Sequence, residues 1–302
     1  MTDGRPRDQI DRHDGPAAGL LVRIVMCGVR GSTPAPGPDF VRYGGNTSCV
    51  ALALDGEPPS LLLDAGTGLR RVGALLDGRA FSGAILLGHL HWDHTHGMPF
   101  FPAGDRPDAR VDVFVPAQGD ALGVLSRAMS PPNFPITPDQ LQGRWAFHSV
   151  EPGQHRIEGF SVLAAEVPHK GGRTFGYRVS DGHSTIAYIS DHCPTALGPG
   201  ADGLGAHHDA ALALARDADV LIHDAQYRDE ELAAKAHFGH AATGYAVGLA
   251  VSAGAKRVVL FHHDPTRTDA EVDAILVHHR RAKPSVVVDA AAEGMVIDLT
   301  GP

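Results

Sequence analysis

The chain is poor in cysteine and aromatic residues and has no long apolar run. Its 302 residues include only three cysteines and two tryptophans. Three scattered cysteines are too few for a disulfide framework, which favours a reducing compartment and predicts a cytoplasmic protein. No run of about 18 apolar residues occurs, so we expect no membrane-spanning helix. The polar N-terminal segment also lacks the apolar stretch of a signal peptide.

Positive charge is scarce as well. The chain has 26 Lys and Arg residues against 35 Asp and Glu residues, which gives a formal net charge of -9. This balance disfavours a long basic track for nucleic acid, although a local cationic metal centre would still attract a phosphate group.

The distribution of apolar segments predicts an α/β fold. Short apolar runs alternate with turn residues, and each half of the chain combines strands with segments of helical periodicity. Residues 1–20 are polar and are expected to form a disordered tail. Residues 21–302 are expected to form a single domain, because no linker or low-complexity spacer interrupts them.

The most informative segment is residues 89–94, which read His-Leu-His-Trp-Asp-His directly after the apolar residues 84–87. Imidazole and carboxylate groups are ligands of zinc, iron and other transition metals. In an extended segment His89 and His91 lie on one side, and Asp93 and His94 then follow at the turn. The cluster can therefore serve two metal ions. The alternative is a histidine-rich surface loop, since the chain contains 19 histidines.

Three further candidate ligands follow strand-like segments downstream. His169, Asp191 and His262 each come shortly after an apolar run. Together with the first cluster they make seven ligands, enough for two ions of about four to five ligands each. The carboxylate of Asp191 can give one oxygen to each ion. Asp64 ends another buried strand, where we expect it to accept hydrogen bonds and orient a ligand histidine.

The order of these residues resembles the five motifs of the metallo-β-lactamase superfamily, from about residue 21 to the C-terminus. The resemblance implies a four-layer αββα sandwich, with the site at one edge of the two sheets. It also implies two divalent metal ions; zinc is favoured, and manganese or iron are alternatives. The implied ligands form two sets joined by Asp191: His89, His91 and His169 for one ion, and Asp93, His94 and His262 for the other.

Two details refine this resemblance. The last ligand of the family follows its strand immediately, which favours His262, although the adjacent His263 stays an alternative. The β-lactamases of the superfamily usually have cysteine where this chain has Asp191, so antibiotic hydrolysis is disfavoured.

Other segments resemble the ribonuclease Z-like and cyclic-nucleotide phosphodiesterase-like branch. Residues 29–34 and 43–49 are similar to its N-terminal loop, and residues 223–227 to its His-Glu-Ala-Thr box. His240 resembles the catalytic histidine of its Gly-His-Ser-Thr segment. Because this chain has aspartate and glutamine in the box, the role of Asp224 stays open.

The resemblance implies hydrolysis of a phosphodiester by a dinuclear metal centre. Asp93 would hold and orient the attacking hydroxide while remaining a ligand. His240 would protonate the leaving oxygen, held by Asp224 or a neighbour. The glycine-rich residues 44–47 would offer backbone N–H groups to the phosphate or its sugar. Five residues are expected to support the ligands or contact the substrate: Asp64, Asn46, Thr47, His223 and Asp224.

A small substrate is favoured. Members that process transfer RNA carry a long basic arm between the third-motif histidine and the bridging aspartate, whereas His169 and Asp191 are only 22 positions apart here. We therefore expect a cyclic nucleotide or another small phosphodiester, and long RNA is disfavoured. The alternatives are a glyoxalase-like thioesterase, a ribonuclease acting on RNA 3′ ends, and a non-catalytic binding module. The apolar segment 244–251 offers a surface for a homodimer.

Overall fold

The computed structural model describes residues 22–54, 56–282 and 284–299, and the tail expected over residues 1–20 lies outside them. One seven-stranded sheet contains β1 (Val22–Gly28), β2 (Cys49–Leu54), β3 (Leu61–Leu63), β4 (Ser82–Leu86), β5 (Arg110–Pro116), β6 (Arg144–Val150) and β14 (Val296–Leu299). Its strand order is β14-β1-β2-β3-β4-β5-β6. The strands from β3 to β6 run parallel to one another.

The second seven-stranded sheet contains β7 (Gly153–Ile157), β8 (Phe160–Glu166), β9 (Phe175–Ser180), β10 (Thr185–Ile189), β11 (Val220–Asp224), β12 (Arg257–Phe261) and β13 (Val287–Ala290). Its strand order is β13-β12-β11-β10-β9-β8-β7. The strands from β10 to β13 are parallel, and β9 and β10 form an antiparallel hairpin.

The helices lie mainly outside the sheets. They are α1 (Trp92–Thr95), α2 (Ala121–Ser126), α3 (Asp209–Ala215), α4 (Asp229–Lys235), α5 (Thr243–Ala253) and α6 (Asp269–Arg281), and a 3-10 helix spans Thr67–Leu75. Among the described residues, no helix is long and apolar enough to cross a membrane.

Three apolar clusters hold these layers together. Between the sheets, alternate residues of each strand pack face to face, for example Ile24 and Met26 against Tyr188 and Phe261. A second cluster joins the outer face of the first sheet to the Thr67–Leu75 helix and α2. A third joins the outer face of the second sheet to α3, α5 and α6. The predicted four-layer αββα sandwich is confirmed.

The apolar sequence of helix α5 is explained by the side chains that the helix buries. Its buried side chains, among them Leu249 and Ala250, pack on the second sheet within the chain. The apolar composition of residues 244–251 is therefore explained by packing within the chain, and it does not require a second copy.

The parallel strands place the candidate site. The carboxyl ends of parallel strands open on one edge of a sheet, where side chains from the following loops meet. Asp64 follows β3, residues 89–94 follow β4, Asp191 follows β10 and His262 follows β12. The two sheets thus bring residues far apart in sequence to one edge of the sandwich.

Candidate metal centre

The motif of residues 89–94 changes backbone conformation halfway along. His91 is extended, with φ -63° and ψ 157°, and helix α1 begins at the next residue. His89 and His91 therefore project from an extended segment, whereas Asp93 and His94 project from a helical turn. This change of conformation turns the two pairs of side chains towards two separate groups of partners.

The first group contains His89, His91 and His169. One ring nitrogen of each lies within 4.8 Å of the others. The ring centroid of His89 is 4.3 Å from that of His91 and 4.9 Å from that of His169. His169 is fixed by a hydrogen bond between its Nδ1 and the carbonyl oxygen of Gly239, at 2.7 Å, which leaves Nε2 for the centre.

The second group contains Asp93, His94 and His262. Oδ2 of Asp93 lies 3.2 Å from Nε2 of His94 and 3.0 Å from Nε2 of His262. His263, the alternative last ligand, points elsewhere, and its Nε2 lies 2.9 Å from the carbonyl oxygen of Ala291. The structure therefore brings His262 into the centre and keeps His263 out of it.

Asp191 lies between the two groups. Its Oδ1 is 3.6 Å from Nε2 of His169 and 3.5 Å from Nε2 of His262, and its Oδ2 is 3.0 Å from Nε2 of His94. The residue is only 1% exposed. One carboxylate thus faces ligands of both groups, as a bridging residue must.

The polar atoms at the centre have few hydrogen-bond partners. In the part of the chain that the structure describes, both ring nitrogens of His89 are buried without a hydrogen bond. Such atoms carry a desolvation penalty of roughly 1–3 kcal/mol each unless something binds them. Nitrogen and carboxylate donors that converge in this way fit divalent metal ions.

The protonation states of the first histidine group and of Asp93 suit metal binding. Burial lowers the pKa of His89 well below its usual range, and burial lowers the pKa values of His91 and His169 in the same direction. Burial opposes ionisation of Asp93, but the neighbouring His94 and His262 hold the pKa of its carboxyl well below its usual range. Neutral imidazoles and an ionised carboxylate are the forms that bind metals.

At His94 and His262 burial opposes protonation, but the neighbouring carboxylates of Asp93 and Asp191 favour it. These carboxylates raise the pKa of His94 well above its usual range and that of His262 to about 8, so a metal ion would displace a proton there.

Asp64 is placed where the sequence predicted a supporting carboxylate. Its Oδ2 lies 2.7 Å from Nδ1 of His94 and accepts a hydrogen bond from the hydroxyl of Tyr188, also at 2.7 Å. Its Oδ1 accepts the backbone N–H of Gly88 at 2.6 Å. These contacts orient the imidazole of His94 so that Nε2 faces the centre.

His240 lies on the cavity wall beside Asp224. Nδ1 of His240 is 3.1 Å from Oδ2 of Asp224, and the same oxygen accepts the backbone N–H groups of His192 and Ala241. Nδ1 of His240 is also 3.6 Å from Oδ1 of Asp191. The structure therefore gives Asp224 a defined place, which is to hold the imidazole of His240 next to the candidate ligands.

Three of the residues expected to support the ligands or contact the substrate, Asn46, Thr47 and His223, do not line the cavity. Asn46 donates its backbone N–H and its side-chain amide to Glu293, and the backbone N–H of Thr47 is bonded to Oγ1 of Thr67. These donors are not available to a phosphate. His223 is fully buried between the backbone carbonyl of Asp224 and Nδ1 of His192, and burial lowers its pKa to about 4.

The structure adds contacts that the sequence did not predict. The backbone N–H of Ser32 donates to Oδ2 of Asp93 at 2.6 Å, and Oε1 of Gln226 lies 3.0 Å from Nδ1 of His262. Ser32 lies in segment 29–34 and Gln226 in segment 223–227, and their contacts with the candidate ligands depend on the fold. Lys235, whose ammonium group donates to Asp264 at 3.0 Å, also lines the cavity. This cavity has a volume of about 580 Å³.

Comparison with known families decides the assignment. The family model described as "Beta-lactamase superfamily domain" matches residues 60–263, more than half of the chain. The chain belongs to the β-lactamase superfamily. The match begins before Asp64 and ends one residue after His262, so it spans the candidate metal ligands.

Individual members of the superfamily are similar over most of their length. A ribonuclease Z from Natronomonas pharaonis is 23% identical over 306 residues, which covers 84% of this chain and 92% of the relative. A diphosphatase from the PhnP family has a TM-score of 0.64 at 19% identity and covers 93% of this chain and 99% of its own. The short form of human tRNase Z has a TM-score of 0.62 at 21% identity, and the match covers 91% of this chain and 98% of the human protein.

These comparisons confirm part of what the sequence predicted. The metallo-β-lactamase fold, the ribonuclease Z-like resemblance and the assignment to the hydrolases of this superfamily are confirmed. The histidine and aspartate groups fit a divalent metal site. The individual ligands and the roles of Asp93 and His240 stay predictions.

Proposed function

We propose that this protein is a phosphodiesterase that uses two divalent metal ions. The observation that carries the proposal is Asp191, whose carboxylate faces His169 of one ligand group and both His94 and His262 of the other. The similarity to ribonuclease Z supports phosphodiester bonds as the substrate class. We assign zinc to the site, because histidine nitrogen and aspartate oxygen are common zinc donors.

The ligands of each ion follow from the two groups. His89, His91 and His169 would hold one ion, Asp93, His94 and His262 would hold the other, and Asp191 would bridge them. Two ions bound there would neutralise negative charge on the phosphate oxygens and lower the pKa of a water molecule, so that hydroxide would be available to attack at neutral pH.

The chain supplies the positioning and the proton. Asp93 is held by the backbone N–H of Ser32, and from this fixed position its carboxylate orients the attacking water. His240, held through Nδ1 by Asp224, donates a proton to the leaving oxygen.

A small diester or a cyclic nucleotide is the substrate that we propose. The hairpin of β9 and β10 fills the sequence between Thr174 and Asp191 and leaves only residues 181–184 as its turn. No arm for binding a long RNA extends from this part of the described chain. The similarity to ribonuclease Z makes cleavage at RNA 3′ ends the second candidate.

Turnover assays test the proposal. The zinc-loaded protein should hydrolyse bis(p-nitrophenyl) phosphate, and the His240→Ala variant should lose activity by about 100-fold or more while it retains its metal. Hydrolysis of S-acyl glutathione that is indifferent to His240→Ala would instead identify a thioesterase. A protein with both ions bound and no activity on diesters, cyclic nucleotides or 3′-extended transfer RNA would overturn the proposal.

A further inference from the structure

Trp92 is an exposed aromatic residue within the candidate metal-binding motif of residues 89–94. It lies between His91 and Asp93 in the sequence, yet it is 66% exposed. The indole is also held in a defined orientation, because it stacks on the imidazole of His96 with ring centroids 5.4 Å apart and an angle of 16° between the planes. A rigid, flat, exposed ring on a cavity wall is suited to contact a planar ligand.

Trp92 also forms a wall between two cavities. Together with Leu90 it lines both the cavity of about 580 Å³ at the metal centre and a neighbouring cavity of about 560 Å³. A diester whose phosphate lies at the metal ligands can therefore extend one of its substituents across Trp92 into the neighbouring cavity.

The neighbouring cavity contains groups that match a nucleoside. Arg127, Asn133 and Gln118 line it, and their side chains donate hydrogen bonds to the carbonyl and ring-nitrogen acceptors of bases and to sugar oxygens. Neither an alkyl group nor an unsubstituted phosphate would use both these donors and the indole face.

We propose that Trp92 stacks on a nucleobase attached to the scissile phosphate, so that the enzyme selects nucleoside phosphodiesters over alkyl diesters. This inference rests on the proposed function. Bases stack on exposed aromatic side chains with little regard to base identity, and loss of one such contact weakens binding by roughly tenfold. The site therefore distinguishes substrates by the presence of a base.

Binding to the zinc-loaded protein tests the contact without turnover. Thymidine 5′-monophosphate should bind at least about tenfold more tightly than methyl phosphate, measured by calorimetry, and should quench the fluorescence of Trp92. The Trp92→Leu variant keeps an apolar side chain but no ring, and it should lose most of this preference. The Trp92→Phe variant keeps a ring and should retain most of it.

Kinetics give an independent measurement. The Trp92→Leu variant should lower kcat/KM for thymidine 5′-(p-nitrophenyl phosphate) about tenfold more than it lowers kcat/KM for methyl p-nitrophenyl phosphate. Phe100→Ala is a matched control, since Phe100 is 64% exposed but lines neither of the two cavities. It should not change the preference for the nucleoside substrate.

Three results would overturn the inference. The first is equal affinity of the wild-type protein for thymidine 5′-monophosphate and methyl phosphate. The second is an equal loss of affinity for both ligands in the Trp92→Leu variant. The third is an equal loss of the preference for the nucleoside substrate in the Phe100→Ala and Trp92→Leu variants. Failure of the proposed function has a different signature, in which thymidine 5′-monophosphate binds through Trp92 but neither diester is hydrolysed.

Discussion

Oδ2 of Asp224 lies 3.1 Å from Nδ1 of His240, and it is held there by the backbone N–H groups of His192 and Ala241. The carboxylate is fully buried, whereas the imidazole of His240 borders the cavity. Asp224 therefore fixes the orientation of a histidine that faces the cavity, without lining the cavity itself.

We expect the Asp224→Asn variant to lower kcat for bis(p-nitrophenyl) phosphate by roughly 10- to 100-fold, because residues that orient a functional histidine have effects of this size. KM and metal content should change little, since Asp224 is not a predicted ligand. Steady-state kinetics and elemental analysis measure these quantities.

A matched control exists on the same part of the chain. Asp229 accepts the backbone N–H of Gly244 at 2.7 Å and lies outside the cavity. The Asp229→Asn variant should retain the wild-type kcat. If Asp224→Asn also retained it, Asp224 would have no role in positioning His240.

The bridging position of Asp191 predicts a distinct pattern of metal loss. The Asp191→Ala variant removes a contact to both ligand groups, so its metal content should fall below one ion per chain. The Asp93→Ala variant removes a ligand of one group only and should retain about one ion, bound by His89, His91 and His169. Elemental analysis after dialysis measures the ratio. The same ratio in both variants would argue against a shared carboxylate.

A substitution at Gly171 tests how much space surrounds the imidazole of His91. Its φ is +87°, and a Cβ added there would lie 2.6 Å from Nε2 of His91. The Gly171→Ala variant should therefore displace the imidazole and weaken metal binding by His89, His91 and His169. A titration with zinc, followed by calorimetry, measures the affinity.

A substitution at Gly182 distinguishes the effect of this contact with His91 from the effect of backbone strain. It also has a positive φ, +101°, but a Cβ there would have no neighbour within 4 Å. The Gly182→Ala variant should lose about 1 kcal/mol of unfolding free energy and retain its zinc affinity. Equal zinc affinities in the two variants would show that His91 tolerates the added methyl group.

Metal removal should destabilise the fold, because the buried atoms at the centre then lack partners. An ion present at about 100 times its Kd contributes about 2.7 kcal/mol. With an unfolding entropy of about 2.1 cal/mol/K per residue, about 1 kcal/mol corresponds to about 1.6 °C in the Tm of a chain of 302 residues. A chelator should thus lower Tm by at least about 4 °C, as measured by calorimetry.

Added zinc should restore the Tm, and the Asp191→Ala variant should respond less to the chelator. An unchanged Tm of the wild-type protein after complete removal of the metal would contradict the assignment of a metal centre.

Much of the architecture could be predicted from the sequence. Continuous apolar runs predicted buried strands such as β4 and β12, and the structure places both in the sheets. Strands β6 and β7 were missed, because each lies at the end of its sheet and carries polar and half-exposed residues. Helix α4 was missed as well.

The sequence alone predicted the kinds of candidate ligand and their order, because residues 89–94 are neighbours along the chain and their chemistry is local. Only the tertiary structure decided between His262 and His263, which adjoin in sequence but face different partners. Only in the tertiary structure does Asn46 bond to Glu293 and Thr47 to Thr67. The same holds for the contact between Ser32 and Asp93. The physical reason is that a side chain's partner across the two sheets depends on strand register and loop path, which nearby residues do not specify.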